Sequence, residues 1–275
     1  MIRYPRHSGT FYPGTRAELC RLFENFEKEK VKKEISADPI GGIVPHAGYV
    51  FSGLTAYSTY SEIFSRRKFQ NVIVLGPSHY AFLKGVALWP EGKWVTPLGE
   101  IDISTEITEP LKLKEPFVNS PELHRDEHSI EVQIPFLQFL NPDCKIVPLL
   151  VGDMDLPMIE NAAQTLAELS QEYGALVIAS SDLYHGYSHR ECVETDNRTI
   201  STILDLDVKT FCDKAAKGEV MACGEIGIAI LLNILKNLMK KTEGYLLHYT
   251  NSAEVTGSRG GYVVGYAGII FGEKQ

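Results

Sequence analysis

The chain has 275 residues, 44% of them hydrophobic and 23% charged, which is ordinary for a globular protein. Its formal net charge of −8 does not favour a nucleic-acid partner, which needs a clustered basic face. No apolar run reaches the roughly 20 residues of a membrane span, and the first residues lack the apolar stretch of a signal peptide. The five cysteines are scattered and form no CxxC pair. We therefore expect free thiols, a cytoplasmic location and no membrane partner.

Runs of Val, Ile and Leu of strand length recur along the chain. Most are continuously apolar, which predicts strands buried on both faces, as in parallel sheets. Two segments, 85–90 and 99–103, are interpreted as antiparallel additions, and two glycine-containing segments near the end as late strands. The predicted strands are 40–44, 72–75, 85–90, 99–103, 145–151, 175–179, 244–251 and 261–271.

Helical patterns lie between these strands. The predicted helices are 53–65, 129–140, 156–173 and 223–241. Pro135 predicts a kink or a shortening of the second one, and Ile226, Ile230 and Ile234 form an apolar stripe that should face the core. Strands that alternate with helices, without a repeat or linker, predict one α/β domain over residues 1–275. Its mixed central sheet should carry helices on both faces.

Three histidines follow the ends of predicted strands: His46 in IGGIVPHAGYVFSG, His79 in NVIVLGPSHY and His185 in ALVIASSDLYH. The carboxyl ends of parallel strands open onto one crevice, where ligands bind. Imidazole is the commonest protein ligand of transition metals, so the three side chains could meet around an ion. Taken alone, a histidine such as His46 is more often a loop or surface residue.

Two further groups have chemical potential. Asp182 and His185 are three residues apart, and a carboxylate beside an imidazole can orient it as an acid or base. A carboxylate that caps a turn beside a half-exposed histidine is an equal alternative. Cys223 lies at or just before the start of the last helix, whose positive end is expected to lower the thiol pKa. The alternative for Cys223 is an inert core cysteine.

His128 lies near the start of the helix predicted at 129–140. It could bind a metal together with Glu131, but we favour a position along the cleft, with Asp126 and Glu127 stabilising the helix start. No GxxxxGK[ST], HExxH or GxSxG pattern occurs, so none of these nucleotide or hydrolase sites is indicated. The remaining histidines are interpreted as surface or structural: His7, His124, His189 and His248.

Five segments occur in a characteristic order: VPHAGYVFSG, LGPSHY, DEHSIEVQIPFL, ASSDLYH and CGEIGIAILLN. With the N-terminal RHSGTFYP and the C-terminal YVVGYAGIIF, they closely resemble the MEMO family of archaea, bacteria and eukaryotes over essentially the whole chain. That family resembles the class III non-haem iron extradiol dioxygenases in fold. The resemblance therefore implies an α/β domain around a mixed central sheet of that kind.

The resemblance also implies a mononuclear metal site for iron or copper. The family's metal-binding positions match His46, His79 and Cys223, and its other pocket residues match Asp182 and His185.

Aromatic residues at the mouth of the family's pocket match Phe11 and Phe51. A eukaryotic member has bulkier or hydroxylated aromatics there, so peptide recognition of the eukaryotic kind is not implied. The dioxygenases use two histidines and a carboxylate, whereas Cys223 stands in the carboxylate's place here. A thiolate favours copper(I), zinc or a more covalent iron site, and it can itself be oxidised.

Three hypotheses follow. The first is a redox enzyme with a metal on two histidines and Cys223, in which Asp182 orients His185 for proton transfer. The second is a binding module without turnover, for a metal or for a peptide or small molecule in the cleft. The third is an enzyme that uses Cys223 as nucleophile and His185 as base. The substrate and the oligomeric state are not predicted.

Overall fold

Strands and helices alternate along the part of the chain that the structure, a computed structural model, describes: residues 1–258 and 260–274. The strands are β1 (Ile2–Arg3), β2 (Ala37–Val44), β3 (Asn71–Pro77), β4 (Val86–Leu88), β5 (Lys93–Thr96), β6 (Gly99–Asp102), β7 (Phe117–Asn119), β8 (Lys145–Val151), β9 (Leu176–Ser180), β10 (His185–Gly186), β11 (Thr242–Asn251) and β12 (Val263–Lys274). The α-helices are α1 (Arg16–Glu29), α2 (Tyr49–Arg66), α3 (Thr105–Leu111), α4 (Ile134–Leu140), α5 (Leu156–Glu172), α6 (His189–Leu204), α7 (Val208–Ala216), α8 (Glu225–Asn237) and α9 (Ser252–Thr256).

A nine-stranded mixed sheet forms the centre of the molecule, in the order β10-β12-β2-β9-β3-β8-β4-β7, with β11 also paired to β12. The strands β2, β9, β3 and β8 are parallel, whereas β12 and β4 run antiparallel to their neighbours β2 and β8. The predicted α/β fold with a mixed central sheet is confirmed. The segment predicted at 99–103 is antiparallel as expected, but it pairs with β5 in a separate three-stranded sheet.

Helices cover both faces of the central sheet, which explains the continuous apolar strands. In β3, Ile73 and Leu75 pack with apolar residues of α5 and α8, whereas Val72 and Val74 pack with residues of α1, α2 and α4. All four side chains are fully buried. Since successive side chains of a strand point to opposite faces, a strand covered on both sides must be apolar at every position.

The predicted helices are present with adjusted ends. The helix expected at 129–140 is shortened, because α4 begins at Ile134 after a single 3₁₀ turn at Glu131–Gln133, and Pro135 lies in its first turn, where a proline is tolerated. The sequence interpretation missed α1, α3, α6, α7 and α9. Four of these have a capping signal that could have revealed them, since Thr15, Ser188 and Asn251 each accept the N–H of a glutamate three residues later and Asp207 accepts that of Thr210. None of the described helices is long and apolar enough to cross a bilayer.

A buried ion pair ties β1 to the core. Arg3 Nη1 lies 2.7 Å from Glu131 Oε2, with both side chains almost fully buried. The same guanidinium donates to the backbone carbonyls of His124 and Glu127, at 2.8 Å each. One arginine therefore holds together the N-terminal segment and the loop before α4.

Glu131 also accepts hydrogen bonds from the N-terminal segment itself. The backbone N–H groups of Arg6 and His7 and the hydroxyl of Tyr12 all donate to it. Burial acts to raise the pKa of Glu131, but Arg3 and these donors outweigh burial, and the pKa is lowered. Because Glu131 is fully engaged here, the alternative that it binds a metal together with His128 is wrong.

We expect Arg3→Met to lower the free energy of unfolding by about 3–5 kcal/mol, because it leaves the Glu131 carboxylate buried without its cation. Arg6→Met is the matched control. Arg6 pairs with Asp126 at 2.9 Å on the exposed surface, so its loss should cost little. Urea denaturation of both variants measures the difference, and equal losses would contradict the dominant role of the buried pair.

Candidate metal centre

The carboxyl ends of three neighbouring parallel strands carry most of the predicted site residues. His46 lies two residues after the end of β2, and His79 two residues after the end of β3. Between these strands lies β9, which is followed closely by Asp182. Cys223 comes from a different part of the chain, just before α8, and its Sγ accepts the N–H of Asp182 at 3.2 Å. The sheet therefore gathers distant residues at one crevice, as open α/β sheets do.

His46, His79 and Cys223 converge. One potential ligand atom from each lies within 4.8 Å of the other two. His46 Nε2 is 3.1 Å from Cys223 Sγ, and the two imidazole centroids are 5.3 Å apart. Two imidazoles and a thiol are a donor set that suits transition-metal ions, so these three residues could hold one.

Glu127 supports His79. His79 Nδ1 is 2.9 Å from Glu127 Oε1, and the His79 backbone N–H donates to Oε2 at 2.6 Å. Burial acts to raise the pKa of Glu127, but the hydrogen bonds from His79 and from the Ser129 N–H outweigh it and lower the pKa to about 2. An ionised carboxylate only accepts, so Nδ1 of His79 carries the hydrogen and Nε2 is left free to bind. The sequence predicts only a helix-end role for Glu127.

His128 lies against His79, with ring centroids 4.7 Å apart, and Phe11 lies 4.6 Å away from it. Burial and the neighbouring imidazoles lower the pKa of His128 to about 3. His79, Glu127 and His128 also lie close enough together to suggest a second cation group. However, Glu127 Oε1 already accepts the His79 Nδ1–H and the backbone N–H groups of His128 and Ser129. This group therefore supports His79 rather than forming another site.

Asp182 and His185 face the same region but have different partners. Asp182 Oδ1 accepts the backbone N–H groups of His46 and Ala47, at 2.8 and 3.3 Å, whereas His185 Nδ1 is 2.9 Å from the carbonyl of Leu183. The expected orienting bond from Asp182 to His185 is not among the described contacts. Burial raises the pKa of Asp182 to about 6, against the hydrogen bonds from His46 and the charge of His185. Asp182 thus shapes the turn that carries His46.

Cys223 lies where predicted, before α8, with Gly224 as the N-cap. The pKa of the Cys223 thiol is nevertheless raised, mainly by burial and also by the charge of Asp182. Hydrogen bonds from the Asp182 N–H and the Ser181 hydroxyl act to lower this pKa but do not outweigh burial. The expectation that the helix start lowers this thiol pKa is wrong, because desolvation outweighs the helix dipole.

Aromatic side chains surround the mouth of the cleft. The ring of Phe51 and the backbone of Phe11 lie beside Gly48, at the turn that follows His46, and the ring of Phe11 lies against His128. Phe51 is 39% exposed and Tyr80 is 61% exposed. The family-implied mouth positions therefore lie close to the candidate ligands, and Tyr80 is a further aromatic that the sequence did not single out.

His7 also lies in the cleft wall. Its ring is 5.6 Å from that of His128 and is stacked on Tyr80 at 6.4 Å. The interpretation of His7 as a surface or structural residue agrees with the 2.9 Å contact between its Nε2 and the carbonyl of Asp126, but it did not indicate the position in the cleft wall. No local pattern around His7 indicates this position, because the long-range bonds of Glu131 bring the N-terminal segment to the cleft.

A cavity of about 270 Å³ lies beside Cys223, between the loop that follows β3 and the start of α8. Its walls include Ser78, Phe82, Gly224 and Glu225, but none of the imidazoles of the site.

Comparison with known proteins shows which family the chain belongs to. A family model described as Memo-like protein matches residues 3–270. The chain belongs to the Memo-like protein family. A MEMO1 family protein of Thermoplasma volcanium is 40% identical over 273 residues, covering 98% of each chain. One of Thermococcus onnurineus is 36% identical over 293 residues, covering 98% of this chain and 99% of that protein. An uncharacterized protein of Escherichia coli K12, 11% identical, aligns with a TM-score of 0.44 over 82% of this chain and 98% of its own, which is too low to carry an argument.

For this Memo-like chain we expect iodoacetamide to modify metal-free Cys223 only well above about pH 8.5, the usual thiol pKa, because burial and Asp182 disfavour the thiolate. Peptide mass mapping across a pH series gives the rate at this cysteine. Asp182→Asn removes the neighbouring charge and should move the profile to lower pH. A wild-type profile centred below that of free cysteine would show that the helix dipole prevails after all.

Proposed function

We propose that this Memo-like protein binds one transition-metal ion, iron or copper, at His46, His79 and Cys223 and uses it in a redox reaction. The proposal rests on one observation: three ligand atoms lie within 4.8 Å of one another, while Nδ1 of each imidazole faces a supporting side chain. Metal-ligating histidines ordinarily have such a partner on the other ring nitrogen. The residues present therefore fit the ion that the family resemblance implies.

Three protein ligands leave at least one coordination position for a substrate, unlike a closed structural site with four. The softness of a thiolate favours copper(I), zinc or a covalent iron site over magnesium or calcium. When bound, such an ion would supply electron transfer or Lewis acidity.

His185 is the candidate proton carrier. Its Nδ1 faces the carbonyl of Leu183, which can only accept, so Nδ1 carries the hydrogen and Nε2 is free to take a proton from a substrate. Asp182 contributes through its charge rather than through a direct bond. Phe11, Phe51 and His128 would enclose the substrate on the outer side.

A binding module without turnover is the second candidate. It is favoured by the exposed aromatic residues near the cleft, because Tyr80 and Phe82 are 61% and 88% exposed. A peptide or small molecule could stack there. Metal uptake without any oxygen-dependent product would favour this candidate.

A cysteine-nucleophile enzyme has less support. The nearest base to Cys223 Sγ is His46 Nε2 at 3.1 Å, not His185. Burial lowers the pKa of His46 to about 3 and raises that of Cys223, so both shifts oppose the imidazolium–thiolate pair that such enzymes use.

Anaerobic reconstitution with Fe²⁺ or Cu⁺ should load about one ion per chain. His46→Ala, His79→Ala and Cys223→Ala should each weaken binding by about one to two orders of magnitude, since each removes a ligand. Chelator competition with elemental analysis measures this. His248→Ala is the control, because His248 Nδ1 contacts Thr55 Oγ1 at 2.8 Å, outside the cleft. Unchanged affinity in all three ligand variants would refute the site.

His185→Ala should keep the ion but lose oxygen-dependent turnover, because it removes the free Nε2 without removing a ligand. The rate of dioxygen uptake by the reduced, loaded protein is the readout. If this variant instead loses the ion, His185 is a ligand and its assigned role is wrong.

A further inference from the structure

A buried series of hydrogen bonds runs from α2 to the candidate ligand at the end of β2. Tyr60 Oη donates to Gln133 Oε1 at 3.0 Å, and Gln133 Nε2 donates to Ser180 Oγ at 2.8 Å. Ser180 Oγ in turn lies 3.0 Å from His46 Nδ1. All four residues are at most 2% exposed, so water does not compete for these bonds. The set of Tyr60, Gln133 and Ser180 is called the His46 relay below.

Backbone carbonyls determine the direction of each bond, because they can only accept. Ser180 Oγ donates its single hydrogen to the carbonyl of Ser129 at 2.7 Å, so it must accept from His46 Nδ1. Gln133 Nε2 also donates to the carbonyl of Pro45 at 3.0 Å. Turning this amide over would place Oε1 against that carbonyl, so its orientation is determined as well.

We infer that Ser180, Gln133 and Tyr60 are positioning residues that hold His46 as the Nδ1–H tautomer, with the lone pair of Nε2 directed toward Cys223. Ser180 is suited to this role because its hydrogen and both of its lone pairs are all used. Ser180 therefore has no hydrogen left to donate to the imidazole of His46.

The choice of tautomer decides whether the site can accept an ion. His46 Nε2 is 3.1 Å from Cys223 Sγ. In the opposite tautomer Nε2–H would donate to the sulfur, and neither atom would be ready to coordinate. This consequence for metal binding rests on the proposed function, whereas the tautomer itself is a property of the metal-free protein.

Long-range ¹H–¹⁵N correlation spectra of the metal-free protein report the tautomer directly. We expect His46 as Nδ1–H in the wild type. Ser180→Ala removes the acceptor and leaves Nδ1–H buried without a partner, so the population should shift toward Nε2–H. Gln133→Met, which removes a bond to Ser180, should shift it less.

A pair of tyrosines in α2 provides a matched comparison. Tyr60→Phe removes the most distant bond of the His46 relay and should have the smallest effect on His46. Tyr57→Phe removes a hydroxyl that is equally part of α2, but this one donates to Glu27 at 2.9 Å, away from the relay. It should leave the spectrum of His46 unchanged.

Metal affinity is the second readout, with Co²⁺ as the probe. Ser180→Ala should weaken Co²⁺ binding about 10- to 100-fold and alter the thiolate-to-cobalt absorption band. Gln133→Met should weaken Co²⁺ binding less than Ser180→Ala does, and Tyr57→Phe should bind Co²⁺ as tightly as the wild type.

An Nε2–H tautomer in the wild type, or an unchanged tautomer in Ser180→Ala, would overturn the inference. If Ser180→Ala does not fold, the tautomer of His46 is measured in Gln133→Met and Tyr60→Phe instead. An unchanged tautomer in both variants would then overturn the inference. A tautomer that shifts as expected in a protein that binds no Co²⁺ even as wild type would support the His46 relay and refute the proposed function instead.

Discussion

The arrangement of the cleft depends on the hydrogen bonds of one short segment, residues 127–133. Three of its polar side chains reach different parts of the molecule. Glu127 supports His79, Glu131 holds Arg3 and the N-terminal segment, and the amide of Gln133 meets Ser180. Because buried polar groups must be paired, these bonds leave the segment little freedom. Regular α-helix begins only after this segment, at Ile134, the first residue of α4.

Burial sets the charge state of the metal-free cleft. It lowers the pKa of His46 to about 3 and raises the pKa of both Asp182 and Cys223. The imidazole and the thiol are therefore neutral near pH 7, and they contact each other as neutral partners. A metal ion that binds there would have to displace the thiol proton, so its affinity would rise with pH.

The sequence predicted those features that follow from local pattern and from the geometry of parallel sheets. Apolar runs identified β2, β3, β8 and β9, and the rule that their carboxyl ends meet brought His46 and His79 together. The helices α1 and α6 were missed because their apolar pattern is weak: α1 buries only three side chains, and most of the side chains that α6 buries are polar.

Other features depend on contacts between distant residues. His7 reaches the cleft only because of Glu131, more than a hundred residues away. The thiol pKa of Cys223 was predicted in the wrong direction, because the helix start can be read from sequence but the depth of burial cannot. Gln133 has no recognisable signature, since its role depends on the carbonyl of Pro45.

The ionised carboxylate behind His79 has a consequence for charge balance. With a deprotonated Cys223 and with Asp182, whose pKa of about 6 leaves it mostly ionised near pH 7, it would place three negative charges within the inner layers of the cleft. A divalent cation would neutralise two of these charges, whereas a monovalent one would leave a larger excess of negative charge in a poorly solvated region. Electrostatics at this position would therefore stabilise the higher of two oxidation states, and the same carboxylate that orients an imidazole would also shift a redox potential.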